Sequence, residues 1–232
     1  MENNITVKIL RTTDEGSRFQ SYEIERVEGM TVLGALIHIH DNIDETLSFD
    51  YNCRAGRCGT CGVVMNGKPT LACETQLPKT NEMVIEPKRS HAIIKDVMTD
   101  DPDIWKIRKD VLKFPFTPKT SQPFVIPPHQ TERFNVLDSC IECGLCQSSC
   151  PNIKNGWIGP MHAVYAAKLD AHPLDTLDRS ELLMRKGIRL CDTNFSCQKS
   201  CPKGITITQD AIIPEKEAWI DKNGIFFRLG KQ

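Results

Sequence analysis

Two cysteine runs in the second half of the sequence constrain this chain more than any other feature. Both follow the spacing C-x2-C-x2-C-x3-C-P, and they end at Cys150-Pro151 and at Cys201-Pro202. The second run carries Asn194 at the position where the first carries Cys143. In bacterial ferredoxins this spacing binds two iron–sulfur clusters, and the fourth cysteine of each run ligates the other cluster.

The exchange of the fourth ligand divides these seven cysteines into two sets. The complete set suits a [4Fe–4S] cluster and consists of Cys140, Cys143, Cys146 and Cys201. The other set consists of Cys150, Cys191 and Cys197, with Asn194 at the position of the missing thiolate. Because an amide is a poor ligand for iron–sulfide chemistry, we expect this set to hold a [3Fe–4S] cluster.

Zinc and disulfide bonds are the alternatives to iron–sulfur clusters for these cysteines. Structural zinc usually takes two C-x2-C pairs, whereas each run here continues with x3-C-P. Disulfides fit poorly with cysteines at such short intervals in a chain that shows no secretion signal. Iron–sulfur ligation is therefore the interpretation that the spacing favours.

A third cysteine group lies nearer the N-terminus and comprises Cys53, Cys58, Cys61 and Cys73. The spacing C-x4-C-x2-C with a fourth cysteine further along is that of plant-type [2Fe–2S] ferredoxins. Gly56, Gly59 and Gly62 would let the loop close round the cluster and turn its N–H groups inward. All 11 cysteines of the chain are then assigned to three clusters.

Residues 1–98 predict a ferredoxin-type [2Fe–2S] domain. Alternating residues 5–10 and 22–27 indicate a hairpin, and Thr31 would cap the helix that follows. Asn66-Gly67 predicts a second hairpin, with Cys73 on its return strand and a last strand at 83–86. The expected fold class is α+β, with a β-grasp-like N-terminal domain followed by an all-α domain.

Residues 99–232 predict a helical, bacterial-ferredoxin-like domain that binds the [4Fe–4S] and [3Fe–4S] clusters. Helices are expected at 101–112, at 160–169, at 180–187 and, interrupted at Pro214, within 205–220. The proline-rich stretch 113–128 reads as a connecting segment, and 152–157 as a loop. We expect the two clusters to replace a wide apolar core in this domain.

Charge and motifs narrow the functional classes further. The net charge is −1, so there is no electrostatic basis for binding nucleic acid. The apolar runs are too short for a membrane span, and residues 1–13 resemble neither a signal nor a transit peptide. No dinucleotide fingerprint and no nucleophile paired with a base occur. We therefore expect the chain to move single electrons in a reducing compartment while another protein makes and breaks bonds.

This combination of clusters resembles the iron–sulfur subunit of succinate dehydrogenase and quinol:fumarate reductase. Besides the cysteine runs, the resemblance includes residues 85–96, Ile158-Gly159-Pro160 and residues 191–204. It implies a flavoprotein partner with covalent FAD and the dicarboxylate site, transmembrane anchor subunits with a quinone site, and haem b as a further partner cofactor. It also implies a peripheral position on the cytoplasmic face of a bacterial membrane.

The same resemblance implies that Lys216 and Asp192 lie near the quinone, whereas Lys216 alone would read as an exposed helix lysine. Ubiquinone-linked relatives often have histidine at the position of Asp192, and they place a tryptophan earlier than Trp157. Both departures favour a menaquinone-type enzyme. Two alternatives remain open: a similar subunit of another flavoprotein, such as a hydroxyacid dehydrogenase or a thiol-linked fumarate reductase, and a zinc-stabilised binding module.

Overall fold

The computed structural model describes residues 4–13, 15–100, 109, 111, 127–173 and 175–224. The chain forms two compact units. The first comprises Met1–Pro102 together with Ile141–Ser149, and the second comprises Asp103–Cys140 together with Cys150–Gln232. A short piece of the first cysteine run therefore belongs to the N-terminal unit. The boundary expected after residue 98 stays a prediction.

The first unit is built on a five-stranded sheet in the order β2-β1-β5-β3-β4 and a separate pair β6-β7. Its strands are β1 (Asn4–Thr13), β2 (Gly16–Glu25), β3 (Gly62–Met65), β4 (Lys68–Leu71), β5 (Glu82–Glu86), β6 (Ala92–Lys95) and β7 (Met98–Asp100). β5 runs parallel to β1, and the other pairings are antiparallel. The helices of this unit are α1 (Val32–Asn42) and the short α3 (Leu145–Ser149).

Alternation along β1 explains the core of this unit. Ile5, Val7 and Ile9 are fully buried, and the residues between them face outward, as the period of a strand requires. The expected β1–β2 hairpin is confirmed, with Ile5 opposite Ile24. The expected helix is confirmed as α1, and the Thr31 side chain accepts a hydrogen bond from the Gly34 N–H at 3.1 Å.

The second hairpin is confirmed at its turn but not at Cys73. Asn66 and Gly67 both have positive φ, as a tight hairpin turn requires. The prediction that Cys73 lies on the return strand is wrong, because β4 ends at Leu71 and the chain turns. The carbonyls of Ala72 and Thr75 accept the N–H groups of Leu33 and Val32 instead. These bonds satisfy the free N-terminal donors of α1 and draw Cys73 out of the sheet.

Asp96, between β6 and β7, is the buried charge that joins several parts of this unit. It is fully buried, and its carboxylate accepts hydrogen bonds from the N–H groups of Thr12 at 2.8 Å and Ser48 at 2.9 Å. The Arg11 Nε lies 3.1 Å from Asp96 Oδ1, and Arg11 also pairs with Asp44 at 2.6 Å. The network ties β1 to the β6–β7 turn and to the segment after α1.

We expect Asp96→Asn to destabilise the first unit strongly. Breaking one side of a buried ion pair costs about 3–5 kcal/mol, and the lower end applies because Arg11 keeps Asp44. For a chain of this size that corresponds to a melting temperature lower by roughly 6–12 °C. Thermal unfolding followed by circular dichroism measures the shift.

Glu82→Gln is the matched control, because it removes a charge from the exposed Lys8–Glu82 pair of the same sheet. Exposed pairs of this kind contribute at most about 1 kcal/mol. Equal melting temperatures for the Asp96 and Glu82 variants would contradict the role given to Asp96.

The second unit is helical wherever the structure describes regular elements in it, so the α+β expectation is confirmed. Its helices are α2 (Pro128–Asp138), α4 (Pro160–Asp170), α5 (Ser180–Arg185), α6 (Ser196–Lys199) and α7 (Ile213–Asn223). Two 3₁₀ segments, Pro151–Asn155 and Ile188–Leu190, and a π-helical turn, Thr208–Ile212, connect them. The loop expected at 152–157 is thus wrong at residues 152–155. The expected helix 101–112 and connector 113–128 lie almost entirely outside the described residues.

Helix α4 forms the apolar centre of this unit. The sequence predicts a single apolar face on this helix, formed by Met161, Val164, Tyr165 and Leu169. That prediction is wrong, because residues 160–167 are all buried. Ala163, Ala166 and Ala167 have no exposed surface, and such small side chains let neighbouring elements approach the helix on several sides. The expectation that clusters replace an apolar core is therefore also wrong.

A π-helical turn, Thr208–Ile212, ends just before Pro214, where the helix is expected to be interrupted. Proline has no N–H, so the carbonyl of Asp210, four residues earlier, lacks its usual helical donor. The Arg133 Nε donates a hydrogen bond to that carbonyl oxygen at 2.8 Å. The π-helical segment ends at Ile212, and α7 begins at Ile213 with Pro214 in its first helical turn.

No helix among the described residues combines the length and the hydrophobicity needed to cross a membrane.

Candidate metal centres

The four cysteines predicted for [2Fe–2S] all lie in the first unit. Cys53, Cys58 and Cys61 lie in the loop between α1 and β3, and Cys73 lies in the turn after β4. The Cys53 sulfur accepts hydrogen bonds from the N–H groups of Ala55, Arg57 and Cys58 at 3.3–3.4 Å. The loop has therefore wrapped its backbone donors round a sulfur atom, as an anionic cluster requires.

Two further N–H groups complete this arrangement. The Gly56 N–H donates to the Cys73 sulfur at 3.3 Å, and the Cys53 N–H donates to the Cys58 sulfur at 3.5 Å. Gly56 and Gly59 have positive φ, which turns the chain inward at both positions. The residues present thus fit a [2Fe–2S] cluster, which supplies one-electron chemistry when bound.

Gly59 and Gly62 also have a packing role that the sequence did not indicate. A Cβ on Gly59 would lie 2.6 Å from the Ile141 carbonyl oxygen and 2.8 Å from the Cys143 Cα. A Cβ on Gly62, which has no positive φ, would lie 3.2 Å from the Leu145 side chain. The glycines let the loop pack directly against the piece of the first cysteine run that belongs to this unit.

Cys58 and Cys61 of this loop differ in their thiol pKa because their surroundings differ. Burial raises the pKa of the Cys61 thiol to about 12, with the neighbouring Cys73 as a further cause. For Cys58 burial acts in the same direction, but hydrogen bonds from Thr60 and Cys53 outweigh it and lower the pKa to about 6. Because iron binds thiolates, cluster assembly must displace a proton from Cys61, while Cys58 is available as a thiolate near neutral pH.

The two arginines of the loop are on its outer side. Arg54 and Arg57 are exposed, and the Arg54 guanidinium stacks over the Tyr51 ring at 5.1 Å from its centroid. The sequence leaves two roles open for these arginines, a positive field at the cluster and a solvated loop surface. Both side chains are exposed, and the sulfur atoms receive their hydrogen bonds from the backbone.

The three cysteines predicted for [3Fe–4S] all lie in the second unit. Cys150 precedes the 3₁₀ segment Pro151–Asn155, Cys191 follows Ile188–Leu190, and Cys197 lies in α6. Burial raises the pKa of Cys197 to about 11, and the charges of Cys191 and Cys150 add to that shift. Burial, together with the charge of Cys191, also raises the pKa of Cys150. Cys197 is buried, and Cys150 and Cys191 are half-buried.

The two cysteine runs share an unusual backbone. Glu142 and Thr193, at the same position of each run, have φ of 59° and 56°. Gly144 and Phe195, two positions later, have φ of 73° and 62°. A bulky residue such as Phe195 rarely adopts this region, and it does so here at the place where the first run has glycine. Asn194 therefore occupies the backbone position that Cys143 occupies in the first run.

The Asn194 side chain is held within its own loop. Its Oδ1 accepts the Ser196 N–H at 3.0 Å, and the backbone N–H of Asn194 donates to Asp192 Oδ1 at 3.3 Å. Both Asn194 and Asp192 are exposed. The amide oxygen thus already has a partner in the loop.

The set predicted for [4Fe–4S] is divided between the two units. Cys143 and Cys146 belong to the first unit, whereas Cys140 and Cys201 belong to the second. Cys143 and Cys146 are buried, and the other two are half-buried. Ligation of one cluster by these four cysteines stays a prediction.

Lys216 is bound rather than free. It is half-buried, and its Nζ donates to the Cys191 carbonyl at 2.7 Å, so the interpretation as an exposed helix lysine is wrong.

Trp157 is only 2% exposed, whereas Lys154 and Asn155 are exposed.

Thr208, which the sequence did not single out, has its hydroxyl 3.9 Å from the Cys197 sulfur. Nothing in the sequence near Thr208 indicates this contact, because the π-helical turn creates it.

Two protein-family models match the chain. A 2Fe-2S iron-sulfur cluster binding domain matches residues 6–106, and a 4Fe-4S dicluster domain matches residues 136–205. The matches cover the two segments in which the cysteine groups lie. They agree with the expectation of a [2Fe–2S] domain followed by a domain for two further clusters.

Similar proteins and structures point the same way. The fumarate reductase iron-sulfur subunit of Mycobacterium tuberculosis is 30% identical over 224 residues, which cover 88% of this chain and 89% of that protein. A fumarate reductase (CoM/CoB) subunit of Methanothermobacter marburgensis is 36% identical over 90% of this chain but only 43% of its own length, so the chain spans less than half of that relative.

One solved structure matches along nearly its whole length. A chain of the Mycobacterium smegmatis Sdh1 complex in the apo form superposes with a TM-score of 0.89 and 29% identity, covering 96% of this chain and 98% of that chain. The agreement extends over both units of the chain.

Proposed function

The chain belongs to the family of iron–sulfur subunits of succinate dehydrogenases and fumarate reductases, and we propose that it carries single electrons between a partner flavin and a quinone. The electrons pass through [2Fe–2S], [4Fe–4S] and [3Fe–4S] clusters in this order or in reverse. No dicarboxylate chemistry takes place on this chain. The flavoprotein partner holds FAD and the dicarboxylate site.

The observation that carries this proposal is the shared backbone of the two cysteine runs, with Asn194 in place of a cysteine. The two runs have matching backbone conformations on either side of Cys143 and Asn194, and the ligand set with Asn194 at the missing position has three cysteines instead of four. A cluster with three thiolate ligands has one iron position without a protein ligand and therefore loses that iron readily. This supports a [3Fe–4S] cluster at Cys150, Cys191 and Cys197.

Close packing of the [2Fe–2S] loop against residues 141–143 supports the order of electron transfer. Gly59 approaches Cys143 closely enough that a methyl group would not fit between them. If Cys143 ligates the [4Fe–4S] cluster, Gly59 of the [2Fe–2S] loop lies directly against a ligand of the next cluster. The chain thereby keeps the first transfer step short without any catalytic side chain.

The quinone end of the path is assigned to the second unit. Lys216 binds the Cys191 carbonyl, and Asp192 lies exposed beside the same cysteine. We place the quinone, menaquinone in preference to ubiquinone, near these two residues. Transmembrane anchor subunits, with or without haem b, would complete the site and hold the chain at the cytoplasmic face of a bacterial membrane.

A second candidate function has support from the relative in Methanothermobacter marburgensis. The name of that protein couples fumarate reduction to CoM and CoB, and this chain is similar to less than half of it. On this alternative the electrons would come from thiols through another flavoprotein, and no quinone would take part.

Purification of the tagged chain with its partners from membranes of the native host tests the proposal. We expect a covalent FAD subunit and an apolar anchor subunit in the complex, together with succinate:menaquinone or menaquinol:fumarate activity. Electron paramagnetic resonance (EPR) of the oxidised complex should show a three-iron signal that reduction removes as a [2Fe–2S] signal appears. A complex without quinone activity that oxidises thiols at the expense of fumarate would favour the alternative.

A further inference from the structure

Thr208 places a buried hydroxyl in apolar surroundings. It has no exposed surface, and it begins the π-helical turn Thr208–Ile212. Its buried neighbours along the chain are apolar, namely Ile205, Ile207, Ala211 and Ile212. A hydroxyl among apolar side chains costs free energy unless it has a hydrogen-bond partner. A valine would fill nearly the same volume without that cost, so the hydroxyl itself calls for a role.

The partner of this hydroxyl is the sulfur of Cys197 in α6. The two atoms are 3.9 Å apart, and Cys197 is only 7% exposed, so the contact lies out of the solvent. Either atom could donate the hydrogen bond while Cys197 carries a thiol proton. Iron binds cysteine as a thiolate, which has no proton to donate. Once Cys197 is a cluster ligand, the Thr208 hydroxyl is therefore the donor.

The backbone of the π-helical turn holds this hydroxyl in place. The Thr208 carbonyl accepts the N–H of Ile213, the first residue of α7. Within the turn, the Asp210 N–H donates to the Thr206 carbonyl at 2.8 Å, and the Asp210 carbonyl accepts the Arg133 Nε at 2.8 Å. Threonine is also branched at Cβ, which restricts its rotamers. The fold thus positions the donor before any cluster binds.

This kind of donor differs from those in the [2Fe–2S] loop. There the Cys53 sulfur accepts hydrogen bonds from the backbone N–H groups of Ala55, Arg57 and Cys58. A backbone N–H is present whichever of the residues other than proline occupies the position. The Thr208 donor depends on the identity of one side chain, so a single substitution can remove it.

We propose that the Thr208 hydroxyl donates a hydrogen bond to the iron-bound Cys197 sulfur and thereby raises the midpoint potential of the three-iron cluster. Reduction adds one electron to the cluster, and the hydroxyl keeps its proton in both redox states. Because hydrogen bonds to more negative acceptors are stronger, the donor stabilises the reduced cluster more than the oxidised one. The apolar surroundings strengthen this effect.

The consequence for electron transfer follows from the position of this cluster in the proposed path. The three-iron cluster is the one next to the quinone, so a higher potential favours the electron at that end. Thr208 is a positioning residue, since it acts through Cys197 and contacts neither flavin nor quinone in this role. The inference rests on the proposed function, because it needs the three-iron cluster.

An EPR-monitored redox titration of the purified complex at constant pH tests the role of Thr208. Thr208→Val removes the hydroxyl and keeps the branched shape. We expect the equilibrium constant for reduction of the three-iron cluster to fall roughly threefold to tenfold, which lowers the midpoint potential by about 30–60 mV for a one-electron couple. Thr208→Ser keeps a hydroxyl at the same position and should retain the parental potential.

Thr206→Val is the matched control, because the Thr206 hydroxyl donates to the Asp210 carboxylate and not to a sulfur. It should keep the parental potential. Thr208→Ala is the second variant if Thr208→Val does not assemble its cluster, and it should show the lower potential.

Two results would overturn the role of Thr208 alone. One is a parental potential in a Thr208→Val complex that retains its three-iron signal. The other is an equal fall in Thr208→Val and Thr208→Ser, which would show that the methyl group and not the hydroxyl matters. Absence of any three-iron signal from the parent complex overturns the proposed cluster, and the role of Thr208 with it.

Discussion

An Asn194→Cys variant should bind a four-iron cluster at the site proposed to hold three irons in the parent protein. The oxidised three-iron EPR signal should disappear, and the midpoint potential of the site should fall. Electron transfer to the quinone should slow accordingly. The reason is that a fourth thiolate retains the fourth iron and adds negative charge to the cluster.

The backbone at position 194 makes this conversion feasible without rebuilding the loop. The flanking residues Thr193 and Phe195 already adopt the positive φ that Glu142 and Gly144 adopt on either side of Cys143. A cysteine at 194 would therefore project from the same backbone geometry as Cys143. Only the hydrogen bond from Ser196 to the Asn194 side chain is lost, at about 1 kcal/mol.

Asn194→Ala is the control, because it removes the same hydrogen bond but adds no thiolate. It should keep the three-iron signal. EPR at low temperature and iron-to-protein ratios distinguish the two variants. A folded Asn194→Cys protein that retains the three-iron signal would show that the ligands of the second run are grouped incorrectly.

A Gly59→Ala variant should lose most of its [2Fe–2S] cluster. The added methyl carbon would lie 2.6 Å from the Ile141 carbonyl oxygen and 2.9 Å from the Cys143 Cβ. Backbone cannot move aside as a flexible side chain can, and the positive φ of 74° adds strain for alanine. Overpacking of this kind, combined with the strain, costs on the order of 3 kcal/mol or more.

Gly67→Ala separates the two causes. Gly67 has a similar φ of 79°, but a Cβ there would meet only the end of the Arg89 side chain at 3.9 Å. It should cost about 1 kcal/mol and keep the cluster. Visible circular dichroism and the reduced [2Fe–2S] EPR signal give the cluster content of both variants. Equal cluster content in the two variants would refute the packing role of Gly59.

Local patterns predicted the parts of the fold that local forces determine. The alternation of Ile5, Val7 and Ile9 predicted β1, and Thr31 predicted the start of α1, because strand period and helix capping depend on adjacent residues. The position of Cys73 was not predictable in this way. It depends on hydrogen bonds from the start of α1 to the carbonyls of Ala72 and Thr75, far away in the sequence.

The candidate sites show the same division. Cysteine spacing predicts the ligand groups, because the geometry of a cluster limits the intervals between its ligands. Spacing contains no information about the close approach of Gly59 to Cys143 or about the hydrogen bond from Lys216 to the Cys191 carbonyl. Those contacts depend on how distant segments pack, so they became visible only in the folded chain.

The first unit is built from two separate parts of the sequence, and this has a consequence for biosynthesis. This unit includes residues 141–149, which cover Gly59 and Gly62 of the [2Fe–2S] loop. A ribosome adds about 5–20 residues per second and releases the chain from its N-terminus. The sheet and α1 can therefore form early, but the loop stays uncovered until residue 149 has emerged. During translation, iron and sulfide can thus reach the loop that carries Cys53, Cys58 and Cys61 before residues 141–149 pack against Gly59 and Gly62.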